Sequence, residues 1–170
     1  EINTDYVRDN NIKVVRRLSG GGAVFHDLGN LNFTFTQQAK GDNLIDFKKY
    51  TQPILDVLQQ MGANARFEGR NDLTIDGKKF SGNAMHIWKN KVLHHGTLLF
   101  SSELPDLSAA LKADSSKFTD KAVKSVRSRV TNISEHLTEK MDVMQFADCI
   151  EQFIIDKNPQ ATLYELNSSD

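Results

Sequence analysis

The sequence predicts an α+β protein built on a mixed, largely antiparallel sheet with flanking helices. Two observations carry this. Strand-like runs outnumber helix-like ones, and they are joined by tight turns at Asp76-Gly77 and near Lys89-Asn90. Asp-Gly between two β-rich runs is a strong local hairpin signal. A doubly wound fold would instead alternate strands with helices. At 170 residues the chain fits one domain.

Taken in order, residues 12–17, 23–26 and 30–36 read as short strands. The last alternates Leu31, Phe33 and Phe35. Residues 43–61 predict an amphipathic helix with Leu44, Phe47, Ile54, Leu55, Leu58 and Met61 on one side. Pro53 should kink it or begin a new helix, and Gly62 should stop it. The runs "LTIDGKKF" and "HIWKNKVLHHGTLLF" predict two hairpins. Residues 105–112 suggest a short helix. Residues 113–130 are polar, basic and weakly periodic, which predicts a mobile loop, followed by a short helix from Asn132. Thr138 should cap a last helix to about Lys157, with an apolar stripe of Met141, Met144, Ala147, Ile150, Phe153 and Ile154. Residues 161–166 read as a closing strand.

Lys and Arg number 21 against 22 Asp and Glu, a net charge of −1. That excludes a global electrostatic pull toward nucleic acid or membrane, and neither is expected as a partner. The single cysteine, Cys149, excludes an internal disulfide and a cysteine-based zinc site. It fits a reducing compartment, and a cytoplasmic location is expected. Its place within the last helix suggests that it packs as a small apolar residue. No apolar run approaches the ~20 residues of a membrane span. The chain starts at Glu1 without methionine and reads as a piece of a longer protein.

Four stretches carry chemistry. In "RRLSGGGAVFHDLGN", from Arg16 to Asn30, a glycine-rich turn can aim backbone N–H groups at phosphate oxygens. Arg16 or Arg17 beside it can add a bidentate contact. No Gly-Lys-Ser/Thr follows, so it is not a P-loop. The plain alternative is a hairpin loop whose glycines serve geometry alone. In "GRNDLTIDGKKFSGNAMH", alternation places Lys79 and Ser81 on one face and Lys78 and Phe80 on the other. A lysine fixed on a strand can meet developing negative charge. Asp72 can hold magnesium, although a lone aspartate is more often a turn residue. In "HHGTLLF", His94 and His95 must point to opposite faces and so cannot easily share a metal. His26 is a third candidate, and a structural hydrogen bond is the plain role for each. "KSVRSRVTN" is either a solvated loop or a segment that closes over a phosphate-bearing ligand.

Together and in this order, "RRLSGGGAVFHDLGN", "GRNDLTIDGKKFSGNA", "HHGTLL" and "SVRSRVTN" resemble lipoate–protein ligase, closely from about residue 10 to 135 and more loosely beyond. The resemblance implies the biotin and lipoate ligase catalytic fold, related to class II aminoacyl-tRNA synthetases. It implies that lipoate and ATP, with Mg2+, form lipoyl-adenylate and pyrophosphate. The lipoyl group then passes to a lysine of an acceptor domain, in acyltransferase subunits of 2-oxoacid dehydrogenases or in the glycine-cleavage H protein. By match to the family's motifs, Arg17, Gly22, Ala23, Val24 and Phe25 would contact ATP or the adenylate. Lys79 would touch both lipoate and nucleotide and act in catalysis. Ser19, His26, His95 and Gly82 would line the lipoate site, with Asn30, Asn71, Ser81 and Asp72 nearby. Residues 113–130 match the segment that folds over the adenylate. Members of the family carry further strands before the arginine–glycine motif, and many carry a C-terminal accessory domain, so 1–170 reads as an incomplete catalytic domain. Two alternatives stand beside this: an octanoyl or lipoyl transferase, which would need a cysteine thioester, and a carrier that binds lipoate or nucleotide without joining them.

Overall fold

In the computed structural model, which describes residues 1–38, 44–111 and 130–168, both hairpins form. Asp76 and Gly77 take positive φ, 50° and 72°, as a two-residue primed turn requires. They join β3 (Asp72–Ile75) to β4 (Lys78–Trp88). Lys89, at φ 53°, helps turn β4 into β5 (Lys91–Leu99). β2 (Ala65–Glu68) pairs with β3, and β1 (Asn30–Gln38) pairs with β5. The order is β1-β5-β4-β3-β2 with every neighbour antiparallel. Outside these strands, Lys79 makes a parallel bridge to Val130.

α1 (Thr4–Asp9) and α3 (Leu104–Ala110) pack together at one end. The Asn3 N–H donates to the Ala110 carbonyl at 2.9 Å, and the Tyr6 hydroxyl donates to Asp106 at 3.0 Å. α2 (Phe47–Gln60) is capped by Asp46, which accepts from the Lys49 N–H at 3.0 Å. Pro53 lies inside α2 and does not divide it. Gly62, at φ 91°, follows its end as expected. A 3-10 turn, Ile133–His136, is the short helix expected after Asn132.

α4 (Val143–Lys157) starts later than the sequence suggests. Asp142 rather than Thr138 is its cap, accepting from the Met144 and Gln145 N–H groups at 2.9 and 2.8 Å. Gln145 accepts from the Asp142 N–H, which completes a capping box. Thr138 instead donates to the Met61 carbonyl at 3.0 Å and ties this segment to the end of α2. Phe146 is buried in the core, and Met144, placed in the stripe by periodicity, is exposed.

Three expected strands are absent. Residues 12–17, 23–26 and 161–166 form no ladder, and Val14 and Val15 are exposed. A strand needs a partner for its N–H and C=O groups. Here the Ile12 N–H turns back to the Val7 carbonyl, and the Ala161 N–H to the Asn158 carbonyl. The expected loop at 113–130 lies, but for Val130, outside the described residues. Among those residues no helix is long and apolar enough to cross a membrane.

α2 and α4 share a core with one face of the sheet. Ile54, Leu58, Leu73, Ile75, Phe80, Leu98, Phe100 and Phe146 form that core, and burying each large side chain stabilises by roughly 1.5–3 kcal/mol. Phe100 stacks on Phe146 at 4.5 Å. Facing α2 from β5 is His94, fully buried. Its ring lies 5.1 Å from Tyr50, 5.7 Å from Phe47 and 5.9 Å from Phe33. Burial, and then His95 beside it, push its pKa down to about 4.

The sign of the resulting pH dependence is fixed. Between about 4 and the ordinary 6.5 the unfolded chain, not the folded one, protonates this histidine. Its cost to stability is therefore nil well above pH 6.5 and grows as pH falls toward 4, to on the order of 3 kcal/mol. Denaturant unfolding at pH 7 and pH 4 should show that loss, and His94→Gln should reduce it by a similar amount. An equally steep loss in the variant would assign it to other groups.

Candidate functional site

The glycine run is shaped around a guanidinium. Arg17 Nη2 donates to the Gly22 carbonyl at 2.7 Å and the Gly20 carbonyl at 3.2 Å, and its Nε donates to Ser19 Oγ at 3.2 Å. Ser19 is buried, its Oγ 2.5 Å from His95 Nε2 on β5. Arg16, by contrast, is exposed. Gly21 has φ 120°, and a Cβ there would also stand 2.7 Å from Arg17 Nη2. The Ala23 N–H donates to the Glu1 carboxylate at 2.7 Å. A Cβ on Gly22 would stand 3.1 Å from the same oxygen. The loop backbone thus already serves a negative oxygen. Val24 is exposed and Phe25 half-buried beyond it.

The far end of the loop is fastened separately. Asp27 accepts from the Gly29 N–H at 2.9 Å and the Glu103 N–H at 2.7 Å. The Gly29 carbonyl accepts from the Phe100 and Ser101 N–H groups at 3.0 and 2.9 Å. A Cβ on Gly29 would overlap the Ser101 backbone. His26 Nδ1 accepts from Asn30 Nδ2 at 3.0 Å. The same amide donates to Asn32 at 3.1 Å. The pKa of His95 is lowered by burial, then by Arg17 and by His26. That of His26 is lowered by desolvation and Arg17, against an opposing pull from Asp27. Both rings are therefore mainly neutral at pH 7.

Lys79 lies on the same side of the sheet. Its Nζ is 2.7 Å from Asp72 Oδ1, with both side chains about one-third exposed. A Cβ on Gly82 would stand 3.3 Å from that ammonium. The Lys79 backbone is held from both sides: it pairs with Thr74, and its carbonyl accepts from the Thr131 N–H at 3.0 Å. The Gly82 N–H lies 3.5 Å from Thr97 Oγ1, two residues along β5 from His95.

One expectation about this strand is corrected. Thr74 pairs with Lys79, but Leu73 pairs with Ser81, so Phe80 is an extra residue in β4. The bulge breaks the alternation. It puts Gly82, rather than Ser81, on the face of Asp72 and Lys79, and turns Ser81 to the core face with Leu73. Ser81 is buried there, its Oγ accepting from Asn83 Nδ2 at 3.2 Å. Asn71 is likewise engaged with the strand: its Nδ2 donates to the Asn83 carbonyl at 2.5 Å. Lys78 is exposed at the hairpin.

The structure therefore brings together Arg17, Ser19, Gly22, Ala23, His26, Asn30 and His95 at the loop, and Asp72, Lys79 and Gly82 on the neighbouring strands of that face. Asp27, Gly29 and Asn83 were not singled out in the sequence. Asp-x-Gly in "HDLGN" is the turn signal that could have flagged the first two. Cys149 does not pack as a core residue. It is exposed on α4 and lines a groove of about 400 Å³ with Val57, Met61 and Phe153, on the helix side of the sheet. No three His, Cys, Asp or Glu side chains converge as metal ligands among the described residues.

Residues 1–155 match the lipoyl protein ligase A/B catalytic domain family. The lipoate–protein ligase LplJ of Bacillus subtilis is 47% identical, over 100% of this chain and 52% of its own length. This chain thus spans about half the length of that relative. A bipartite lipoate protein ligase from Thermoplasma acidophilum, solved in work on that archaeal system and its E2 lipoyl domain, superposes with a TM-score of 0.81. Its identity is 30%, over 99% of this chain and 67% of that one. A lipoate–protein ligase A bound with ATP gives a TM-score of 0.77 at 26% identity, over 97% and 68%.

The far anchor of the loop and its glycine run should respond differently to substitution. Gly29→Ala should lower stability by ~2 kcal/mol or more, because backbone must move. Gly20→Ala, where an added Cβ meets nothing within 4 Å, should change it by under ~0.5 kcal/mol. Thermal melting of the two proteins checks this. Equal melting points would show that the loop end tolerates displacement.

Proposed function

Since this chain belongs to the lipoyl protein ligase A/B catalytic domain family, we propose that it activates lipoate with ATP and passes the lipoyl group to a lysine of an acceptor lipoyl domain. The observation that carries the reading is the Lys79–Asp72 pair over Gly82, on the sheet face to which the Arg17 loop is pinned through Ser19 and His95. An ATP-bound relative and a relative solved in work on its own E2 lipoyl domain support the choice of nucleotide and acceptor.

In the first step a lipoate carboxylate oxygen attacks the α-phosphorus. An O–P bond forms, the bond to the bridging oxygen breaks, and pyrophosphate leaves. Two anions must approach, so a fixed ammonium between them lowers the barrier, and Lys79 supplies it. A phosphate oxygen would take the position of the Glu1 carboxylate on the Ala23 N–H. Arg17 is committed to loop carbonyls, so it contributes by shaping that backbone and by its positive field. Gly22, Val24 and Phe25 continue the nucleotide wall. Gly82 beside Lys79 and the Ser19, His26 and His95 side chains receive the acyl end.

In the second step the acceptor amine attacks the lipoyl carbonyl carbon. An amide bond forms, the acyl–oxygen bond breaks, and AMP leaves. The amine's proton passes to the neutral imidazole of His95, because His26 Nδ1 already accepts from Asn30 and its Nε2 therefore carries the hydrogen. Magnesium commonly sits on substrate phosphates with one or two protein carboxylates. Asp72 fits that limited role: Lys79 engages Oδ1, and the side chain is about one-third exposed. When bound, the ion would offset triphosphate charge. Acceptors are the acyltransferase subunits of 2-oxoacid dehydrogenases or a glycine-cleavage H protein, in the cytoplasm. A thioester mechanism finds no support, because Cys149 lies on α4 across the sheet.

Incubation of the full-length gene product with ATP, lipoate and an apo lipoyl domain should release pyrophosphate and add one lipoyl amide, read by mass spectrometry. Binding without pyrophosphate release would make it a carrier instead. Lys79→Ala should slow pyrophosphate release about 10²–10³-fold, the scale of one lost transition-state donor, with little change in melting point. A near-parental rate would remove Lys79 from the mechanism.

A further inference from the structure

The proposed chemistry uses one face of the sheet, yet residues of the same motifs face the other. Asn83, His94 and Gly96, from "SGNAM" and "HHGTLL", lie on the side covered by α2. Resting on the reading that Lys79 serves the reaction, the geometry points to Asn83 and His94 as positioning residues. They hold Asp72, and through it Lys79, from the far side of the sheet.

The contacts are continuous. His94 Nε2 lies 3.2 Å from Asn83 Oδ1. A carboxamide oxygen only accepts, so Nε2 carries the hydrogen and donates. That fixes the amide's orientation. Asn83 Nδ2 then donates to the Asn71 carbonyl at 3.1 Å and to Ser81 Oγ at 3.2 Å. The Asn83 backbone N–H donates to the same Asn71 carbonyl at 3.1 Å, and Asn71 Nδ2 donates back to the Asn83 carbonyl. Asn71 is covalently joined to Asp72, whose carboxylate holds Lys79 at 2.7 Å.

Two features show that this link is built rather than incidental. A Cβ on Gly96 would overlap Asn83 Oδ1 and the Phe33 ring, so glycine there makes room for the carboxamide. His94 Nδ1 is buried without a hydrogen-bond partner. A buried polar atom left unpaired is costly, and an apolar side chain would avoid that cost at the same position. The retained imidazole is the group that aims Asn83. β3 has four residues, and short strand ends fray unless tied. The Asn71–Asn83 contacts tie the end that carries Asp72.

The test compares His94→Phe, His94→Gln, Asn83→Ala and Asn71→Ala in the full-length gene product. One readout is the rate at which an amine-acetylating reagent labels Lys79, followed by peptide mass spectrometry against other lysines. The second is adenylate formation, with kcat separated from KM for lipoate. His94→Phe and Asn83→Ala should speed Lys79 labelling several-fold and lower kcat about tenfold, as misplacement of a charge-stabilising group does. KM for lipoate should stay within about twofold. His94→Gln keeps a donor near Nε2 and should restore both readouts. Asn71→Ala leaves the carbonyl that Asn83 holds and removes the return bond from Asn71 Nδ2 to the Asn83 carbonyl, so it tests that half of the tie outside the core if the core variants fail to fold. Unchanged labelling in folded Asn71→Ala and Asn83→Ala overturns the proposal, as does faster labelling with unchanged kcat. Labelling reads Lys79 whatever reaction it serves. An inactive parental protein whose variants still release Lys79 would therefore refute the ligase reading and support the tie.

Discussion

One extra residue in β4 decides which side of the sheet each motif residue serves. Before the bulge, Lys79 shares a face with Thr74. After it, Gly82 joins Asp72 on that face and Ser81 drops into the core. Without Phe80 as the inserted residue, the ammonium would be level with a serine hydroxyl rather than with a bare glycine. The bulge also buries Phe80, one of the largest core side chains. The packing of α2 and α4 and the placing of the Lys79 ammonium beside Gly82 are thus set by the same irregularity. Bulges recur beside functional sites because they re-aim side chains without breaking a strand.

The paired histidines show the same division of labour on β5. His94 stacks with Tyr50 of α2, while His95 meets Ser19 of the glycine loop. One imidazole belongs to the core and one to the loop, a single residue apart. Period-two geometry makes such a pair a connector through the sheet rather than a chelating unit.

Much of this was readable from local signals. Asp76-Gly77 encodes its own turn, and the apolar alternation of Leu31, Phe33 and Phe35 encodes β1. The division of His94 from His95 followed from strand geometry alone. What was not readable depended on distant partners. Val14 and Val15 have strand propensity, but propensity supplies no neighbour to bond. The start of α4 moved because Thr138 found the Met61 carbonyl and left Asp142 to cap. The bulge was hidden because alternation assumes an uninterrupted ladder; Phe80 and Ser81, adjacent and both buried, are its trace. Of the candidate site, the motifs named Arg17, Lys79 and His95, which the structure brings to one side of the sheet. The bonds of Arg17 to its own loop, and the anchors at Asp27 and Gly29, needed coordinates.

The loop from Arg17 to Gly29 is fastened at both ends, by Ser19 to His95 and by Asp27 and Gly29 to the start of α3 and the end of β5. This has an entropic consequence. Fixing one residue's backbone costs roughly 1–2 kcal/mol, and glycines lose the most freedom. With both ends tied and the guanidinium gripping the middle, that ordering is completed when the chain folds. Under the proposed reading, a ligand meeting this backbone would find the Ala23 N–H already aimed, so more of the contact energy would appear as affinity. The glycines, the most disordered residues of the unfolded chain, would thereby become part of a preorganised receptor.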